Sequence, residues 1–155
     1  MTIKPVDGKT SKKQFLEVAR YLYKDDKNWI SPLDNDIEDI FNPAKNSFFQ
    51  HGKCTRWILE DAGGRVIGRI AAFINDKKAY QYDVPTGGVG FFECINDVAA
   101  ANTLFDESKS WLQSHGMEAM DGPINFGEND SFWGLLVEGF TPPSYGMNYN
   151  FPYYH

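Results

Sequence analysis

The spacing of apolar residues changes period several times along this chain, and each change marks an element. In "TSKKQFLEVARYLYKDD" the residues Phe15, Leu16, Ala19, Leu22 and Tyr23 share one face at helical spacing, with Thr10 or Ser11 as the predicted N-cap. Pro32 in "NWISPL" interrupts that helix, and "DNDIEDIF" predicts a short second one. The pattern then turns extended: "CTRWILED" (54–61) and "VIGRIAAFIN" (66–75) flank "AGGR", whose glycines permit the positive φ of a tight hairpin turn. A further apolar strand, "VGFFECI" (89–95), carries one acid, Glu93. Helical spacing returns in "DVAAANTLFDESKSWLQSHG", capped by Asp97 and ended by Gly116. Its predicted buried face is Val98, Ala101, Leu104, Phe105, Ser108, Trp111 and Leu112. "MEAMDGPI" (117–124) predicts a strand. "GENDSFWGLLVEGF" predicts a last helix, capped by Asn129 or Asp130 and apolar on most sides.

"TIKPV" at the start adds a short edge strand, because Pro5 cannot donate to a central ladder. The order β-α-α-β-β-β-α-β-α predicts an α/β (α+β) fold: a mixed, mostly antiparallel sheet with helices on both faces. One domain over 1–155 is expected, with 141–155 an irregular tail rich in aromatics and proline. Aromatic residues make up 15% of the chain, which calls for a ring-rich core or contact surface.

Charge narrows the partners. The net charge is −6 and no Lys/Arg stripe forms, so no nucleic-acid surface is expected. No apolar run approaches the ~20 residues that span a bilayer, and the start lacks a signal-peptide core. Cys54 and Cys94 are expected as reduced thiols in a cytoplasmic protein. The acids Asp34, Asp36, Glu38 and Asp39 fail as a calcium loop, since Asp39 and Lys45 stand where Gly and Glu are needed. They suit the positive end of a helix instead. His51, His115 and His155 have no metal-ligand spacing, so no metal is expected.

The element order resembles the first two thirds of the GNAT (Gcn5-related N-acetyltransferase) fold. "VIGRIAAFIN", "GFFECIND", "WLQSHGMEAMDGPINF" and "LLVEGFTPPSYGMNYNFPYY" resemble an uncharacterised bacterial subgroup of GNAT-like proteins, usually found in longer chains. The resemblance implies transfer of an acyl group from acetyl-CoA or another acyl-CoA to a small-molecule amine. It implies a truncated sheet, completed by an adjoining C-terminal domain, by a homodimer partner, or covered by the tail. It also implies a base on the fourth strand, where Glu93 stands, and a tyrosine that protonates the leaving thiolate, for which Tyr145 or Tyr149 is available. The cofactor would lie at the splayed ends of the fourth and fifth strands, near Ile95, Asp97, Ala99, Ala100 and Asn125. There the family's Q/R-x-x-G-x-G/A motif is replaced by "ECINDVAAAN", which offers a carboxylate where a diphosphate would need free amides.

The residues themselves leave alternatives open. Glu93, flanked by Phe91, Phe92 and Cys94, has the apolar setting that raises a carboxyl toward a useful base; it could equally face solvent or pair with Arg69 or Arg56. The tail aromatics could stack on a ligand or cover the edge of their own sheet. A degenerate, non-catalytic domain that binds a ligand or protein, or dimerises, is the alternative to an enzyme.

Overall fold

Five strands form one sheet in the order β1-β2-β3-β4-β5, in the computed structural model, which describes residues 1–127, 134–144 and 146–155. β1 (Thr2–Pro5) is the edge strand expected from Pro5 and pairs antiparallel with β2 (Gly52–Glu60). β2 and β3 (Val66–Asn75) form the hairpin, with Gly64 at φ 79° supplying the left-handed turn residue. β4 (Thr86–Cys94) continues the antiparallel run, and β5 (Ala119–Asp121) pairs with it in parallel after a helical crossover. The mixed, mostly antiparallel sheet matches the expectation from sequence.

Side chains alternate across the strands and select which helix covers which face. α1 (Lys9–Leu22) and α2 (Asp34–Ile40) bury Phe15 and Ile37 against Ile58. On the other face α4 (Val98–Ser114) buries Ala100, Leu104 and Leu112 against Trp57, Leu59 and Ile70. Gly68 allows this close approach, since a Cβ there would stand 2.9 Å from Leu104. The short α3 (Asp76–Ala79), which the pattern did not show, links β3 to β4.

Three expectations are corrected. α1 is capped by Gly8 rather than Thr10 or Ser11: Ser11 lies inside the first turn, where its Oγ accepts the Gly8 N–H at 3.1 Å. Val98 is 75% exposed, because the buried stripe of α4 runs through Ala100. The helix predicted beyond Gly127 fails over its described part, 134–140, where Gly134 (φ 87°) and Gly139 (φ 77°) adopt left-handed backbone. Asn150 instead clamps this stretch, accepting the Leu136 N–H at 2.8 Å and donating to its carbonyl at 3.0 Å. The predicted caps Asn129 and Asp130 lie outside the described residues.

Candidate active site

The centre of the site is a bulge in β4. Arg69 faces Glu93 and Ala71 faces Gly90, so Ile70 stands against two residues, Phe91 and Phe92. Phe91 has φ 52°, the only left-handed non-glycine residue among those described. Val89 points to the α4 side. Strict alternation would put Glu93 there too, and the extra residue turns it to the α1–α2 side. Phe91 therefore packs on Phe15 and Phe41, while Phe92 stacks on Phe105 of α4.

β5 departs from β4 at this point. Pairing ends at Gly88–Asp121, and the Ile124 N–H still reaches the Val89 carbonyl at 2.8 Å. Beyond it, side chains replace the missing strand. Asn125 Oδ1 accepts the Phe91 N–H at 3.0 Å. Tyr154 Oη accepts the Cys94 N–H at 2.8 Å, and Tyr153 Oη donates to the Cys94 carbonyl at 2.9 Å. The tail thus covers its own sheet edge.

Glu93 is 9% exposed and lines a cavity of about 300 Å³. Its neighbours there include Trp29, Ile37, Phe91, Asn125, Met147 and Tyr154. Tyr154 donates to Glu93 Oε2 at 2.8 Å, and Arg69 Nη2 lies 3.9 Å from Oε1. Burial raises the Glu93 pKa, against the lowering effect of Arg69, Tyr154 and Tyr23. Arg69 is held more firmly elsewhere: it donates to the Phe15 carbonyl at 2.8 Å and lies over the Phe15 ring. Arg56 pairs with Glu38 in a two-pronged contact at 2.6 and 3.0 Å, away from Glu93.

Of the residues singled out from sequence, Glu93, Asn125 and Tyr149 line this cavity. Ile95, Asp97, Ala99 and Ala100 do not line it. The Ile95 N–H is turned to the Ile67 carbonyl of β3, and Asp97 Oδ1 accepts the Ala100 N–H at 2.8 Å, which is the expected cap. Tyr145 lies outside the described residues. Tyr149 donates to Asp26 instead of Glu93. The sequence places Tyr23 on the buried face of the first helix and Tyr154 among the tail aromatics, but does not connect either with Glu93; the doubled aromatic of "PYY" was the available signal for Tyr154. Cys94 is buried with its thiol pushed up to about 12, so it is not a nucleophile at neutral pH. Among the described residues no His/Cys/Asp/Glu cluster could hold a metal, and no helix is long and apolar enough to cross a membrane.

Solved structures share this architecture. The chain superposes with a TM-score of 0.54 and 16% identity on AAC(6')-Iy in complex with the bisubstrate analogue CoA-S-monomethyl-acetylneamine, covering 83% of this chain and 82% of that one. A GNAT-family acetyltransferase from Staphylococcus aureus follows at 0.51 and 13% identity, covering 77% and 71%. This is the GNAT fold. No family model matches the chain. Among curated proteins it is 35% identical over 148 residues to Protein YghO of Escherichia coli, covering 95% of this chain and 37% of that protein. It is 33% identical over 152 residues to Bacterial ceramide synthase of Caulobacter vibrioides, covering 97% and 39%. The GNAT-like chain thus spans less than two fifths of these relatives' length.

Proposed function

We propose that this chain carries the reactive centre of an acyl-CoA-dependent N-acyltransferase, with Glu93 as the base that takes a proton from an amine. The supporting observation is a buried carboxylate, turned by the β4 bulge onto a cavity where β4 and β5 part. An acyl-CoA would supply the activated acyl group as a thioester. The opening suits the thioester end of such a donor, since among the described residues side-chain groups stand in for a paired strand at the β4 edge there. The diphosphate end has no conventional seat, because the Asp97 carboxylate takes the Ala100 amide and sets a negative charge at the start of α4.

Each group then has a defined task. Glu93, its pKa raised by burial, receives the acceptor's proton. Its protonation removes the negative charge that, after burial, raises the pKa of Tyr154. As the amine nitrogen bonds to the acyl carbon and the C–S bond breaks, Tyr154 thereby becomes the better proton donor to the leaving thiolate and regains a proton from Glu93; Tyr145 is the sequence candidate for the same task. The walls from Trp29, Ile30, Ile40, Leu135 and Met147 favour an amine with an apolar body. The kinship with Bacterial ceramide synthase supports an acceptor of that kind.

A second reading, a non-catalytic domain that binds a protein or dimerises, is favoured by Asp97 and by the tail hydroxyls on Cys94. Calorimetric titration with acetyl-CoA and a long-chain acyl-CoA separates the two. Asp97→Asn keeps the cap but removes the repulsion, so it should bind more tightly than the natural chain. Absence of binding to either chain at millimolar ligand would end the enzyme reading. A monomer in sedimentation would count against dimerisation.

A further inference from the structure

We propose that Tyr23 is a positioning residue for Glu93, its buried hydroxyl a hydrogen-bond donor held for the ionised carboxylate. This rests on Glu93 acting as the base. Tyr23 follows α1 directly and is 1% exposed. Its ring stacks on Phe151 at 4.0 Å and 3°, and on Trp29 at 4.9 Å and 6°, with Tyr149 edge-on at 6.0 Å. A phenylalanine would make the same stack. The hydroxyl adds a cost instead, because it is buried without a hydrogen-bond partner among the described residues.

The surroundings indicate what that donor serves. Glu93 Oε2 already accepts from Tyr154, whereas among the described residues Oε1 faces the more distant Arg69 Nη2 at 3.9 Å. Phe151, on which Tyr23 stacks, also packs edge-on against Tyr154 at 5.8 Å, so both phenols are set from one side. After burial itself, the Glu93 charge is the largest influence raising the Tyr23 pKa, which places the two groups in electrical contact. The titratable groups around Glu93 are Arg69 from β3, Tyr23 at the end of α1, Tyr153 and Tyr154 from the tail, and Cys94 on its own strand. Asp36 of α2 lines the same cavity. Arg69, Tyr154 and Tyr23 lower the Glu93 pKa, though together they do not overcome the burial of the carboxylate. A second phenol turned to Oε1 favours the ionised form, the one able to accept a proton.

The test follows the carboxyl itself and needs no substrate. With 13C-labelled glutamate, the Glu93 resonance is titrated by NMR in the natural chain and in Tyr23→Phe. The half-titration point should rise by about one pH unit, which is about tenfold in the proton equilibrium. Tyr23→Phe should also lose stability relative to the natural chain only as pH rises through that titration, and Glu93→Gln should abolish this pH dependence. A ring-fluorinated tyrosine at position 23, a more acidic donor that keeps the stack, should move the titration the other way. The proposal is overturned if Tyr23→Phe leaves the titration in place and gains stability equally at every pH, as loss of an orphaned hydroxyl would give. A shifted titration in a chain that fails to bind or turn over acyl-CoA would refute the acyltransferase reading and leave the role of Tyr23 intact.

Discussion

Glu93 and Asp97 lie four residues apart and do opposite work. Asp97, exposed, spends its charge on the first turn of α4. Glu93, enclosed, carries a charge that its surroundings resist. The consequence for stability has a definite sign. The folded pKa of Glu93 is raised above the ordinary carboxyl value, so the protonated form is favoured by folding. That contribution is complete below the unfolded pKa and is lost as pH rises through the folded one. Glu93→Gln, which is neutral at every pH, should therefore match the natural chain in acid and exceed it in stability toward neutrality, as thermal denaturation across pH would show. The same substitution should lower acyl transfer by about 10²–10⁴-fold. Equal stability at all pH would mean that the carboxylate is well solvated. Asp97 could be read from sequence because a cap is a local signal. The enclosure of Glu93 could not, because it depends on residues far along the chain, such as Tyr23 after α1 and Tyr154 in the tail.

The hairpin, the crossover helix and the edge strand were legible for the same reason: each is announced by nearby residues with a fixed period or a turn. The bulge was not. "VGFFEC" is apolar almost throughout, so no alternation marks its two faces, and nothing local says that Ile70 must face both Phe91 and Phe92. Yet this irregularity decides on which face Glu93 emerges. Gly90 is its neighbour and shows how tightly the segment is fitted: a Cβ there would stand 2.2 Å from the Ile124 carbonyl oxygen and 2.4 Å from Asn125 Oδ1. Gly90→Ala must push residues 124–125 off β4 and weaken the Asn125 bond to the Phe91 N–H. A loss of about 1–3 kcal/mol is expected in urea denaturation. Gly63→Ala in the hairpin turn meets nothing nearer than Asp61 Oδ1 at 3.4 Å, and should change stability by no more than about 0.5 kcal/mol. Equal effects at both positions would deny the close fit of β4 on 124–125. The failed helix beyond Gly127 has the converse origin, since apolar residues at helical spacing do not reveal that Gly134 and Gly139 take left-handed backbone.

At the scale of the molecule, the two ends of the chain enclose the site together. The tail is fastened to the segment after α1 through Tyr149 to Asp26 at 2.8 Å, and the 134–140 stretch through Asn28 to the Phe140 carbonyl at 2.9 Å. Phe151 is the joint of this closure, stacked on Tyr23 at one side and against Tyr153 and Tyr154 at the other. Phe151→Ala removes a half-buried ring, so its cost should fall below the ~3–5 kcal/mol of a fully buried one, near about 2 kcal/mol in denaturant. Its more telling effect is on the base. Loosening the tail admits water to Glu93 and also weakens the Tyr154 hydrogen bond, and these act oppositely: hydration lowers the pKa, while loss of the donor raises it. Burial is the larger influence on Glu93. The expected net result is a fall toward the ordinary carboxyl range, visible in the same NMR titration. A rise would mean that the tail serves Glu93 as a donor more than as a cover. A fall means that closing the two ends over the sheet creates the base, so that its reactivity belongs to the folded whole rather than to the strand that carries it.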